Sequence, residues 1–274
     1  MTFRPWADRV PARADPAPVV SAERSTLSLR CFGRFEIRID GGVPDLKRVR
    51  PRARALLRLL AVHAGRPVHR ELIMDALWRD LDPDAATHNL HVSISSLRRA
   101  LEPGTARGAS RLVLRDGERY VLRLPPGATC DLRSFDQALA AADVSRTAGR
   151  IADAVASLST ALDLYTGDVL PEDGPEEWVL GLREHYRSRA AEAAAAVAEL
   201  HLTRHDPGAA AAAALRSIDI DPCRDASWRL LVSAYRSAGD LAAAERARRS
   251  YADVLASLGV VTETASSVLP PPDR

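Results

Sequence analysis

Apolar residues occupy alternate positions from Leu27 to Ile39, in two stretches separated by Gly33. Period two marks half-buried strands, so a β-hairpin or short meander is predicted, closed by Asp40-Gly41-Gly42. The period then lengthens. From Arg52 to Ala64, residues Leu56, Leu57, Leu59, Leu60 and His63 mark one broad helical face, and Gly65-Arg66-Pro67 stops it. A shorter helix is predicted over about His69 to Trp78, burying Leu72, Ile73, Ala76 and Leu77. After the loop Arg79 to Asp84 a third helix is expected over about Ala85 to Leu101. Two apolar runs, Arg111 to Arg115 and Arg119 to Leu124, then flank Asp116-Gly117 and read as a hairpin.

Strand, three helices and a hairpin is the order of a winged helix-turn-helix. Past Pro125-Pro126-Gly127 strand signals vanish and the chain becomes alanine-rich and helical, over about Leu132 to Ala142, Ile151 to Tyr165 and Glu176 to His201. At an offset of 34 residues Val197 meets Leu231, His201 meets Tyr235, Asp206 meets Asp240, and Ala209, Ala210 and Ala213 meet Ala243, Ala244 and Ala247. Period 34 with small residues at helix crossings is the tetratricopeptide pattern, and Trp228, Leu231, Tyr235 and Gly239 match its first helix. The fold class expected is mostly α with small β. A winged helix-turn-helix domain (27–125) is followed by an all-α tetratricopeptide-like repeat domain (126–265). The segments 1–26, with Pro5, Pro11, Pro16 and Pro18, and 266–274 are expected as flexible tails. A plain helical bundle is the alternative for the second domain.

At 274 residues, 46% hydrophobic and 27% charged, the chain has the length and composition of about two ordinary globular domains. No apolar run approaches the roughly 20 residues needed to span a bilayer, and the first residues lack the apolar stretch of a signal peptide. Cys31, Cys130 and Cys223 are odd in number and far apart in sequence. They suit small buried hydrophobes in a reducing cytoplasm better than disulfides or a zinc site.

Charge divides the chain more sharply than composition does. Residues 27–125 hold 19 Lys+Arg against 11 Asp+Glu, and residues 126–274 hold 15 against 22. A near-neutral total of +2 therefore conceals a basic block and an acidic one. The basic half attracts phosphate polyanions, which points to nucleic acid; the alternative is two solvated surfaces of chance composition.

The third helix carries the clearest chemistry. At 100° per residue, Leu90, Ile94, Leu97 and Leu101 fall within about 60° of one another and form a core stripe. Opposite lie His88, Val92, Ser95 and Arg99, flanked by His91, Ser96 and Arg98, with no carboxylate. Short Val and Ser side chains allow approach to base edges, while Arg98 and Arg99 suit phosphates. Thr87 lies near the helix start, where free N–H groups favour anions. His88 and His91 lack a third metal ligand. Arg98 has an alternative partner in Glu102 at i+4, worth only about 0.3–0.5 kcal/mol. Arg115 and Arg119 in the hairpin suit a minor groove or ordinary solvation.

Gly65-Arg-Pro-Val68, Arg70-Glu71-x5-Leu77-Trp78 and Ser96-Leu97-Arg98-Arg99-Ala100-Leu101, followed by a wing and helical repeats, resemble the Streptomyces antibiotic regulatory protein (SARP) family. That family joins an OmpR-type winged helix to a bacterial transcriptional activator domain, and the resemblance covers about residues 27–265. It implies an activator, often of a secondary-metabolite cluster such as antibiotic biosynthesis. Side-by-side protomers would bind promoter direct repeats in double-stranded DNA near the −35 region and recruit RNA polymerase holoenzyme through its sigma factor. It also implies a wing contact that includes Tyr120, and a polymerase contact in the loop at Arg79, Asp80, Asp82 and Asp84. A solvated loop with Asp84 capping the third helix is the alternative. A cytoplasmic, nucleoid-associated protein without cofactor, metal or membrane partner is expected.

The chain departs from the family pattern in three places. Arg119 stands before Tyr120 where a glycine is common, the wing carries Asp116 and Glu118, and Ser95 or Ser96 replaces a frequent arginine. No receiver-like segment is found ahead of the winged helix, and no GxxxxGK[ST] phosphate loop occurs. The competing function classes are an enzyme, opposed by the lack of GxSxG, HExxH or CxxC, a repressor, and a protein-binding repeat adaptor whose winged helix contacts protein.

Overall fold

The computed structural model describes residues 26–106 and 108–259. In chain order the elements are β1 (Leu27–Arg30), β2 (Glu36–Ile39), α1 (Pro51–Val62), β3 (Val68–His69), α2 (Arg70–Trp78), α3 (Pro83–Leu101), β4 (Val113–Asp116), β5 (Arg119–Leu122) and β6 (Thr129–Cys130). There follow α4 (Asp131–Thr147), α5 (Ile151–Leu164), a 3-10 turn (Pro171–Asp173), α6 (Glu177–Thr203), α7 (Pro207–Ile220), α8 (Asp225–Ser237) and α9 (Leu241–Ser257).

Two three-stranded sheets, ordered β2-β1-β6 and β3-β5-β4, flank the first three helices. The expected hairpins are both present: Leu27 pairs with Ile39 antiparallel, and Val113 pairs with Leu122. The two-residue strands β3 and β6 had no counterpart in the sequence reading, because two residues cannot display a period. Strand structure therefore does not end at Pro125: β6 lies parallel to β1, with Leu29 opposite Cys130.

Helix α1 places Pro51 in its first turn, where the missing N–H costs nothing, and buries Leu56, Leu57 and Leu60. His63 follows it, half-buried; burial first and Arg66 second hold its imidazole below the usual range. In α2 the expectation for Leu72 fails. Ile73, Leu77 and Trp78 are buried, but Leu72 is 65% exposed, since a helix of nine residues offers the core only one narrow face. Helix α3 starts at Pro83, two residues earlier than the pattern suggested. Its cap is Asp82, which accepts from the N–H groups of Asp84 and Ala85 at 3.1 and 3.0 Å, and not Asp84.

In the second half the 34-residue offset reappears in the capping. Asp206 accepts from Ala209 N–H at 3.1 Å, and Asp240 does the same for Ala243 at 2.8 Å, each at the start of a second helix. Ala210, Ala214, Ala243 and Ala244 are buried where helices cross, and Trp228 stacks on Tyr251 with centroids 5.5 Å apart. Ser217 and Ser227 are both buried and satisfy each other at 2.7 Å, with Ser217 also donating to Ala191 C=O.

One continuous core joins the halves. Phe32, fully buried after β1, meets Phe135 of α4, Tyr165 after α5 and Tyr186 of α6 edge-on, at centroid distances of 5.3, 5.2 and 5.3 Å. Asp131 accepts from the N–H groups of Cys31 and Phe32 at 2.7 and 2.8 Å, and from its neighbour Leu132; burial nonetheless holds its carboxyl above the usual range. Leu170 N–H donates to Cys31 C=O, Gly33 N–H to Asp168 C=O, and Thr166 hydroxyl to Phe32 C=O. Cys31 and Cys130, remote in sequence, meet here. The hydrogen bond between their thiols raises the pKa of Cys31, with burial adding to it, and lowers that of Cys130. Cys223 is exposed, contrary to the expectation of three buried thiols.

Truncating Phe32 to Ala removes the ring common to both halves and is expected to cost about 3–5 kcal/mol. Urea unfolding checks this, and a loss under about 1 kcal/mol would refute the shared core. Asp131→Ala strands two buried N–H groups at about 1–3 kcal/mol each, so its urea midpoint should fall well below that of a surface control such as Asp143→Ala.

Candidate nucleic-acid interface

Helix α3 buries Ala86, Leu90, Ser93, Ile94, Leu97 and Leu101 against α1 and α2, as its apolar stripe requires. The opposite face carries His88, His91, Val92, Ser95 and Arg99, all exposed, with Thr87, Ser96 and Arg98 half-buried at its margins. Thr87 turns toward α2, its hydroxyl 3.5 Å from the Met74 sulfur.

The C-terminal end of α3 is fastened to the wing. Arg98 Nε donates to Val113 C=O at 2.9 Å, and the alternative i+4 pair with Glu102 does not form. Glu102 instead accepts from Ser110 Oγ at 2.5 Å and from the N–H groups of Arg111 and Leu112 at 2.8 and 3.2 Å. Its carboxylate organises the turn into β4. Arg98 therefore fastens the wing through Nε, while its terminal amino groups make no hydrogen bond within the described residues.

The wing turns at Gly117, whose φ of 57° lies in the region only glycine enters freely. Arg115 Nε donates to Gly117 C=O at 2.8 Å, and its terminal group lies 3.4 Å from Glu118. Glu118 also pairs with Arg70 Nε at 2.5 Å. Of the two wing carboxylates flagged in the sequence, Glu118 is thus compensated by two arginines, while Asp116 stays exposed. Arg119 is exposed. Tyr120 is only 2% exposed and pairs in register with Val68, so its side chain belongs to the core under the wing and not to an outward contact.

Six of the predicted residues converge. His91, Ser95, Arg98, Arg99, Arg115 and the buried Tyr120 line one cleft of about 770 Å³ between α3, residues 104–106 with Gly108 and Ser110, and the wing. Thr87, His88, Val92 and Ser96 of α3 and Arg119 of the wing do not line this cleft. Sequence reasoning missed the anchoring roles of Glu102 and Arg70. Glu102, the residue that follows the last turn of α3, gave no hint in sequence of a turn cap, and Arg70 reaches the wing because β3 pairs with β5.

The loop singled out for another partner is divided. Arg79 is held by Asp75 at 3.2 Å and by Glu177 of α6, and both partners raise its pKa further. Asp82 is used in capping α3, whereas Asp80 and Asp84 are exposed. Among the described residues no group of three potential metal ligands occurs, and no helix is long and apolar enough to cross a membrane.

Family models match both halves: "Transcriptional regulatory protein, C terminal" over residues 47–120 and "Bacterial transcriptional activator domain" over residues 130–267. The chain belongs to the bacterial transcriptional activator domain family, of the SARP type. This SARP-type chain is 31% identical over 240 residues to transcriptional regulatory protein EmbR of Mycobacterium tuberculosis, a match covering 84% of the chain and 59% of that relative. It is 33% identical over 163 residues to regulatory protein AfsR of Streptomyces coelicolor, covering 59% of the chain and 16% of AfsR. The solved structure of M. tuberculosis EmbR in complex with a low-affinity phosphopeptide superposes with a TM-score of 0.72 at 25% identity, over 91% of this chain and 66% of that one. The chain thus spans about three-fifths of EmbR, and the shared part comprises the winged helix and the helical activator domain.

Because Tyr120 supports the wing from below through apolar packing, Tyr120→Phe should leave DNA affinity within about twofold, whereas Glu102→Ala, which frees the turn into β4, should lower the melting temperature by several degrees for the roughly 1–3 kcal/mol of unpaired N–H groups. Calorimetry and a gel-shift titration separate the two; a large affinity loss for Tyr120→Phe would restore an outward role for its hydroxyl.

Proposed function

We propose that this SARP-type chain is a sequence-specific DNA-binding transcriptional activator. The observation that carries the reading is the outward face of α3 from His88 to Arg99, which holds no carboxylate beyond Asp84 in the first turn and meets wing Arg115 across one cleft. A solvated helix face mixes signs, while a face of Arg, His, Ser and Val suits a groove lined by phosphates. Val92 and Ser95 are short enough to bring α3 close to base edges, with His88, His91 and Ser96 beside them. Arg99, the terminal amino groups of Arg98, and Arg115 and Arg119 of the wing supply phosphate contacts. Thr87 has a supporting place at the α2–α3 contact.

In this reading residues 27–125 are the DNA-binding unit and 126–265 the activator unit, with 1–26 and 266–274 as appended segments. Two protomers lie side by side on promoter direct repeats near −35, at a secondary-metabolite cluster. Asp80, Asp82 and Asp84, exposed at the α2–α3 turn, offer RNA polymerase holoenzyme and its sigma factor an acidic contact, while Arg79 fixes that turn against α6. The protein works in the cytoplasm, on the nucleoid.

Footprinting on the promoters next to its gene, over a range of salt, tests the proposal. Two protected direct repeats about one helical turn or a multiple apart are expected beside a −35 element. Affinity should fall steeply with salt. Arg99→Ala should weaken binding to all sequences alike, and Ser95→Ala should alter preference at one position by about 1–3 kcal/mol or less. Absence of selective protection at every salt concentration would refute the reading and favour a protein-binding adaptor.

A further inference from the structure

A second, larger cleft lies behind the C-terminal end of α3. It measures about 1560 Å³ and is bounded by the segment after β2, the end of α3, the turn into β4 and the strand exit at Pro125-Pro126. Its floor is apolar, with Ile39, Leu101, Leu112 and Pro125, and its rim holds Arg48, Arg99, Arg111 and Arg123. All four arginines are exposed. Among the described residues none of their side chains has an ion pair or hydrogen bond, in contrast to Arg52, Arg58, Arg70 and Arg79 of the same half.

The carboxylates at this cleft are already occupied. Asp40 accepts from Thr26 N–H at 2.8 Å, Asp45 from Lys47 N–H at 2.9 Å, and Glu102 from Ser110, Arg111 and Leu112. Asp40 and Asp45 are exposed, but neither they nor Glu102 pairs with a rim arginine, so the four guanidinium groups keep their donors free. Guanidinium groups in that state seek oxyanions, and phosphate fits their forked geometry. The cleft is also continuous with the interface described above: Arg99, Glu102, Thr105 and Ala106 line both. A polyanion that follows the outward face of α3 to its end passes Arg99 and enters the arginine rim.

We infer that the Arg48–Arg111–Arg123 cleft is a second phosphate-binding track, which takes the DNA backbone beyond the segment read by α3. This deepens the proposed function and rests on it. The contacts would be with phosphate and sugar, so they add affinity and length of footprint without sequence information. The apolar floor accommodates the sugar edges and keeps water from the arginine stems.

The test is the combined variant Arg48→Ala, Arg111→Ala, Arg123→Ala in the full chain, titrated onto the protected promoter duplex and onto an unrelated duplex from low to high salt. If each arginine displaces one counterion, the slope of log K against log salt becomes shallower by about 2–3, at roughly 0.9 per phosphate. The ratio of affinities for the two duplexes stays unchanged. The matching triple lysine variant keeps most of the slope, because a point charge suffices for phosphate, and an unaltered melting temperature for both variants shows that folding is not what changed. A wild-type slope in the alanine variant overturns the inference while leaving the α3 reading intact. So does binding of inorganic pyrophosphate that the variant loses without any change on DNA, since the site would then serve a free phosphate compound. If the unaltered protein has no selective DNA binding, the α3 reading and this extension fall together.

Discussion

The fold depends on the burial of Phe32. This residue follows the first strand of the winged-helix half, yet the rings that enclose it, Phe135, Tyr165 and Tyr186, all belong to the other half. Edge-on aromatic pairs add about 0.5–1.5 kcal/mol each beyond area burial, and three of them share one ring. The backbone around Phe32 has no independent solution either. Cys31 and Phe32 N–H groups end on Asp131, Gly33 N–H on Asp168, and the Cys31 carbonyl on Leu170 N–H. Buried peptide groups must be paired, so this segment is satisfied only when the activator half is in place. Leu170 shows how firmly the site is determined: it is fully buried at φ 49°, a conformation that costs a residue with a Cβ about 1–3 kcal/mol. Arg183 of α6 holds the carbonyls of Val169, Leu170 and Gly174 that surround it.

This junction gives the charge asymmetry a second meaning. Read alone, the basic and acidic blocks point outward, one to phosphate and the other away from it. In the fold, three arginines of the basic half face three carboxylates of the acidic half: Arg52 with Glu176, Arg58 with Asp173, and Arg79 with Glu177. The Arg58–Asp173 pair is two-pronged, at 2.6 and 2.5 Å, and its carboxylate is nearly buried. Such a pair fixes geometry more than it adds stability, because desolvation offsets most of the attraction. Part of the charge that suggested nucleic acid therefore fastens the first three helices to the helical second half. The remainder, at the end of α3, in the wing and around the second cleft, is what remains available for a polyanion.

Elements with a long enough period were legible in the sequence. Nineteen residues of α3 gave both its core stripe and its outward face, and the 34-residue offset recovered the paired caps Asp206 and Asp240. What escaped was short or tertiary. Two-residue strands carry no period, and α2 with nine residues was read as having a broader buried face than it has, which misplaced Leu72. The start of α3 was misjudged because Asp82 and Asp84 are equivalent as sequence signals. Only the turn at Pro83 decides that Asp82 reaches two N–H groups. Tyr120 was placed in the wing contact by the family resemblance, yet alternation along β5 already turns it inward. The joining of the halves through Phe32 was invisible, since an aromatic residue beside a strand looks the same whether it is covered by its own domain or by the next.

The wing shows why charge must be counted after pairing. Its arginines Arg115 and Arg119, with Arg70 of α2 beside them, suggest a strong phosphate ligand, but Arg70 and Arg115 share Glu118, and Arg115 also holds its own turn at Gly117. With Asp116 exposed beside them, the wing retains little net positive charge. Short side chains on α3 make a comparable point: Ser95 and Val92 permit close approach, but they neutralise nothing. A dense group of cations without ion pairs stands instead at the end of α3. Arg98 is held there by one nitrogen, Arg99 by none, and Arg48, Arg111 and Arg123 are arrayed behind them. The short side chains of α3 and the arginines around its C-terminal end are therefore separated in space: one surface permits close approach, and the other carries the charge.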